Sequence, residues 1–233
     1  MTQNTAHAEH TAAATDGTAR DATATRTTRA LLACGTVAGP LFLVVAFVQV
    51  FTRDGFDLTR HPLSLLSLGD LGWIQITNFV VAGLLYLAGA VGMRRVLHPG
   101  RGGTWGPRLV AVFGLALVWG GVFVADPADG FPPGTPDGTA TLSWHGVLHS
   151  LGPPMGFLAL AAACFVFARR FAVVKRHGWA AYSAATGVAL FVPDLFLNHD
   201  WFTVVLALSA VAGWSWLSLT AARLMTELTH RAR

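Results

Sequence analysis

From Leu31 onward the chain alternates long apolar runs with short polar breaks. Six runs approach or reach the ~20 residues a helix needs to cross a hydrocarbon core. They are Leu31–Phe51, Leu71–Met93, Arg108–Ala125, Gly146–Ala168, Trp179–Leu197 and Trp201–Ala222. The runs are continuous and do not alternate in ten-residue strands, so helices are expected and a barrel is not. The expectation is an all-α, polytopic membrane protein: a six-transmembrane-helix bundle over residues 30–225. Only Asn198, His199 and Asp200 separate the last two runs, which predicts a tight helical hairpin. Small residues recur four apart at Gly35 and Gly39, Ala88 and Gly92, Ala159 and Ala163, and Ser209 and Gly213, a spacing that lets helices approach closely.

Residues 1–29 break this pattern. Thr and Ala dominate among scattered charges with no apolar stripe, so a disordered cytoplasmic tail is expected, with His7 and His10 solvated within it. Residues 226–233 form a second, short tail. Composition agrees with the membrane reading: 53% of residues are hydrophobic and 12% charged, half the charge of a soluble domain, and mean hydropathy is +0.52. Cys34 and Cys164 lie inside apolar runs and read as small buried side chains.

The net charge of +4 is informative through its distribution. With six alternating spans and the N-terminus inside, only Arg53 and Arg60 of the sixteen Lys and Arg residues fall outside. Eight of the twelve acids fall outside or near it, leaving Glu9, Asp16, Asp21 and Glu227 within. The positive-inside rule then predicts an N-in/C-in, multi-pass protein of the bacterial inner (plasma) membrane. Its basic face would meet anionic lipids of the cytoplasmic leaflet. No motif points to nucleic acid.

Polar residues within the runs crowd toward the outer ends: Gln49, Gln75, Asn78 and Asp194. An intramembrane Asp is costly unless it faces the bundle interior or a wet cavity. The two long outer loops, Thr52–Asp70 and Asp126–His145, are rich in functional groups. These placements predict an outward-facing acidic, His-bearing crevice lined by His61, Asp126, Asp129, His145, His149, Asp194, His199 and Asp200. Its sharpest element is His145 and His149, four apart and so on one helical face. Such a pair can share a zinc ion, with Asp126, His61, His199 or Asp200 as a third ligand. The same pair can instead hydrogen-bond the interface, or handle protons. Asp126 ends the third run and the histidines begin the fourth, so the three are expected within side-chain reach of one another. Phe131-Pro-Pro-Gly-Thr-Pro136 reads as a rigid turn across the bundle mouth. The stretch His61–Gly69 reads as a short interfacial helix with Pro62 in its first turn and Leu63, Leu65, Leu66 and Leu68 toward lipid. Ser64 and Ser67 could serve as nucleophiles beside a His base, although helix-surface hydroxyls are the commoner case. Arg60 can pair with Asp57 or with an anionic headgroup.

Three of these stretches together, RHPLSLLSLGDLGWIQITNFVVAGLL (60–85), ADPADGFPPGTP (125–136) and LSWHGVLHS (142–150), resemble the bacterial membrane family catalogued as domain of unknown function 998. The resemblance extends over about residues 30–225. It implies a six-span membrane protein and no assigned activity. The leading functional expectation is therefore the crevice, binding a lipid headgroup or a small extracytoplasmic ligand. The alternative is a membrane-embedded metal-dependent hydrolase of a lipid or amide.

Overall fold

The computed structural model describes residues 2–100, 102–138, 141–197 and 199–231, with the side chains of the first helix described from Ala22 onward. Six α-helices follow in order: α1 (Thr2–Thr52), α2 (Gly72–Leu97), α3 (Trp105–Val122), α4 (Trp144–Val173), α5 (His177–Ala189) and α6 (Phe202–Arg231). Two 3-10 helices, Leu63–Ser67 and Val192–Phe196, lie between them. No strand forms among the described residues beyond one antiparallel bridge between Ala128 and Phe131. Five helices are long and apolar enough to cross a membrane: α1 over Ala22–Thr52, α2, α3, α4 and α6 over Phe202–His230.

The first helix starts earlier than its apolar run. Residues 22–29, assigned from sequence to a disordered tail, continue α1, and Thr27 and Thr28 return their hydroxyls to the carbonyls of Thr23 and Ala24. No Pro or Gly interrupts this Ala/Thr stretch. Once the apolar segment is helical, extension adds a bond per residue without a new nucleus. Side chains of the rest of that tail lie outside the described residues.

The fifth run departs most from expectation. It divides into a helix of 13 residues, about 20 Å long, and the 3-10 turn Val192–Phe196. Pro193 explains the break. It lacks the N–H that would bond the Ala189 carbonyl, and it disfavours helical geometry at Val192. Ser209 of α6 supplies the missing donor, its Oγ bonding Ala189 O at 3.0 Å.

Each helix of the series α1 to α5 packs on the next, and α6 closes the ring against α1 while touching α5 only lightly. Glycine sets the closest crossings. A Cβ on Gly89 would stand 2.8 Å from the Gly35 Cα, so α1 and α2 meet backbone to backbone. One turn on, a Cβ on Gly39 would stand 2.8 Å from the Trp214 carbonyl, which places α6 on the neighbouring face of α1. The four-residue spacing of Gly35 and Gly39 therefore serves two partners. Fully buried Tyr86, Phe113, Phe167, Trp216, Leu160 and Leu217 fill the interior.

The ends of the bundle follow from contacts. The α1–α2 and α3–α4 loops touch one another and define one end, here the loop end. The C-terminal part of α4 lies at the other end, where Arg170 and Arg223 approach Glu227 of α6 at 3.9 and 3.2 Å. Thr203 at the start of α6 lines the same cavity as His149 near the start of α4. The chain from α4 to α6 thus travels the length of the bundle, short helix notwithstanding.

Candidate functional site

The loop end is closed by a cap in which the two long loops interlock. In the second loop, Asp129 (φ 52°) and Gly130 (φ 86°) make a turn with two successive positive φ values, the type I′ pattern that Asp-Gly favours. Ala128 and Phe131 bridge across it. The turn drives the fully buried Phe131 into the first loop, edge-on to Phe56 at 5.3 Å and beside the His61 ring at 5.4 Å. The Arg53 guanidinium stands 5.4 Å from the same ring and donates to the Leu66 and Leu68 carbonyls.

His61 ties the loops together. The Asp57 amide donates to its Nδ1 at 2.9 Å, so the proton sits on Nε2, which donates to the Asp129 carbonyl at 2.9 Å. Both ring nitrogens are spent on backbone. Arg60, expected to meet Asp57 or a headgroup, instead pairs with Asp137 of the second loop at 2.6 Å. Asp57 accepts from the Thr59 amide and hydroxyl, which holds its carboxyl below the usual carboxylate range. The 3-10 helix is tucked inward: Leu65 and Leu66 are buried among α1, α2 and the cap, whereas the sequence placed them toward lipid.

Asp126 holds the start of α4. Its carboxylate accepts from the Ser143 amide at 2.7 Å and the Ser143 hydroxyl at 2.6 Å, while Ser143 Oγ caps the helix by accepting from Gly146 N at 3.1 Å. A carboxylate at a helix N-terminus is favoured by the macrodipole. A Cβ at Gly146 would meet the Asp126 carboxylate, so a larger residue there would push that side chain off Ser143.

The two histidines of α4 separate in role. His145 is exposed and stacks on Trp144 with ring centroids 3.6 Å apart. His149 is buried, and its Nδ1 lies 2.7 Å from the Phe123 carbonyl. A carbonyl only accepts, so Nδ1 carries the proton and Nε2 of the neutral ring is an acceptor. That Nε2 has no partner. Neither histidine bonds Asp126. Asp194, His199 and Asp200 are exposed on the connection between α5 and α6, and His199 touches Phe196. Among the described residues no three His, Cys, Asp or Glu side chains gather as a metal site. The candidate ligands His145, His149 and Asp126 are not among such a group: Asp126 accepts from Ser143, and His149 Nδ1 is taken by the Phe123 carbonyl.

Beneath the cap lies a cavity of about 100 Å³. Its lining comes from all the long helices and the cap: Phe42, Phe79, Phe113, His149, Thr203 and Trp214 among others, with Pro62, Leu63 and Ser64 above. No Asp, Glu, Lys or Arg lines it. Besides His149 Nε2, the lining residues Thr203 and Trp214 carry buried polar atoms, Oγ1 and Nε1, without partners. Leaving such a group unsatisfied costs about 1–3 kcal/mol. Of these three, sequence reasoning selected only His149. Thr203 and Trp214 carried no signal, since a lone Thr or Trp in an apolar run ordinarily packs.

A second polar cluster is structural. Gln49 Nε2 donates to Gln75 Oε1 at 2.9 Å, and Asn78 Nδ2 to the Phe42 carbonyl at 3.1 Å, joining α1 to α2. Interhelical amide bonds of this kind hold apolar helices together.

A family model described as "Protein of unknown function (DUF998)" matches residues 36–223. No curated protein and no solved structure matches the chain.

Proposed function

The chain belongs to the DUF998 family, whose function is unknown, and from its cavity we propose that it is a ligand-binding protein of the bacterial cell membrane. In this reading it spans six times, N-in/C-in, and binds a lipid or small extracytoplasmic molecule at its outward end. What supports six crossings is the path from α4 to α6, which runs the length of the bundle. What supports the orientation is the placement of Arg53 and Arg60, two of the sixteen cations, at the loop end. The contact of the basic end with anionic lipid belongs to the same proposal.

One observation carries the binding reading: an apolar cavity lined by His149 and Thr203, whose Nε2 and Oγ1 are buried without partners. The binding centre moves accordingly from an acidic crevice to this cavity. His61, Asp126 and Asp129 build the cap and helix start above it, and His145, Asp194, His199 and Asp200 are exposed and do not line it. The test is mass spectrometry of organic extracts from the purified chain. The expected result is a stoichiometric small molecule or lipid that a cavity-filling Gly156→Leu variant lacks. The same content in both proteins would refute it.

Hydrolysis of a lipid or amide remains a second reading on one observation: Ser64 and His149 line the same cavity. His149 Nδ1, held by the Phe123 carbonyl, leaves Nε2 free to take a hydroxyl proton. A serine-directed phosphonate that labels the parent chain but not Ser64→Ala would favour it.

A further inference from the structure

Resting on that reading of the cavity, we propose that its ligand is an uncharged single-chain lipid bearing a free hydroxyl, with the hydroxyl seated between His149 and Thr203. The His149 ring dictates half of the match. With Nδ1 donating to Phe123, its Nε2 can only accept, so the ligand must donate. His149 and Thr203 are 6% and 7% exposed, so bulk water does not readily serve in the ligand's place. Thr203 Oγ1 either accepts or donates, and a hydroxyl both donates and accepts. An ether or ester oxygen offers nothing to Nε2.

The lining excludes charge. With no Asp, Glu, Lys or Arg on its wall and with His149 in its neutral form, a phosphate, carboxylate or ammonium would be buried unpaired, at a cost that hydrogen bonds to two neutral side chains do not offset. The cations nearest in sequence to the cap are occupied, Arg53 on the Leu66 and Leu68 carbonyls and Arg60 on Asp137.

Shape supplies the chain. Thr203 and Trp214 are eleven residues apart on α6, about 16 Å along the axis at 1.5 Å per residue. Leu206, Ala207 and Ala210 between them line the cavity too, with Phe113 and Phe157, an apolar surface that suits an alkyl chain and in which Phe113 meets Trp214 edge-on at 4.8 Å.

The experiment uses the full chain in nanodiscs, with 1-decanol, decane and decanoate as probes and protein-free nanodiscs subtracted. Decanol is expected to bind at least about tenfold more tightly than decane, the value of one buried hydrogen bond. His149→Leu and Thr203→Val should each reduce that preference. Thr203→Val is nearly isosteric, so it keeps the test sound if His149→Leu misfolds. Equal affinity for decanol and decane, or tighter binding of decanoate, overturns the hydroxyl proposal while the cavity reading stands. Failure of all three probes to bind overturns both.

Discussion

Replacing Phe131 with Ala should release the cap without unfolding the bundle. The Phe131 ring is fully buried, and its neighbours Phe56, His61 and Arg53 all belong to the opposite loop. Truncating a buried Phe costs about 3–5 kcal/mol when the site cannot collapse. Collapse is restricted here because Pro132 and Pro133 stiffen the chain beside the vacancy and already touch the Gly69 and Gly55 positions. None of the ring's close aromatic or cationic neighbours sits on a long helix, so the loss should fall on the docking of the two loops. At the lower figure, the open form of the cap gains about a hundredfold in population. The assay is the rate of thiol labelling at Ser67→Cys, a position 4% exposed beneath the cap, in a chain with Cys34 and Cys164 replaced. In the regime where closing outpaces labelling, the rate follows the open population and should rise in proportion. Phe131→Leu, which keeps most of the volume, should give an intermediate rate. A rate in Phe131→Ala within about twofold of the parent would refute the cap as described.

Four further outcomes are expected. Gly89→Val drives a side chain into the Gly35 backbone and should lower the melting temperature in detergent by the equivalent of about 1–3 kcal/mol; an unchanged melting point would mean that α1 and α2 do not cross there. Asp126→Ala should destabilise the start of α4 by about 1–2 kcal/mol, read as faster amide exchange at Gly146 and Val147, and protection equal to the parent would count against the cap bond. A cysteine replacing Thr135 should react with an impermeant reagent from outside the cell and one replacing Gly103 should not; the reverse pattern would sink the N-in/C-in orientation. The Asp57 carboxyl is held below its ordinary range by Thr59, so its contribution to the cap is complete above that range and lost only as pH falls through the lowered value. Ser67→Cys labelling should therefore stay slow from pH 7 to pH 5, measured with a reagent whose rate is corrected for thiolate content, and rise only below the usual Asp range; labelling that does not change on acidification through and below that range would contradict the Asp57–Thr59 contact.

Much of the architecture was legible in the residues alone, because the bilayer is a demanding solvent. A backbone in hydrocarbon must bond to itself, so an apolar run of sufficient length is a helix whatever its neighbours are. That reasoning located the five long apolar helices and the two polar loops; that Gln49, Gln75 and Asn78 turn inward came from the structure. The same reasoning overextended the fifth helix, where Pro193 removes a bond that only Ser209, sixteen residues away on another helix, replaces. The candidate chemistry was less legible. His61, Asp126 and His149 all read as ligands, since an imidazole or carboxylate near a membrane face has the same letters whether its lone pairs are free or spent. Tertiary structure decided which: both nitrogens of His61 go to backbone, Asp126 goes to Ser143, and one nitrogen of His149 is left over. Thr203 and Trp214 became interesting only when folding placed their polar atoms away from any partner. Helix formation depends on local periodicity, which a sequence carries in full. Hydrogen-bond satisfaction depends on which groups meet across the bundle, and that is set by packing between residues far apart in the chain.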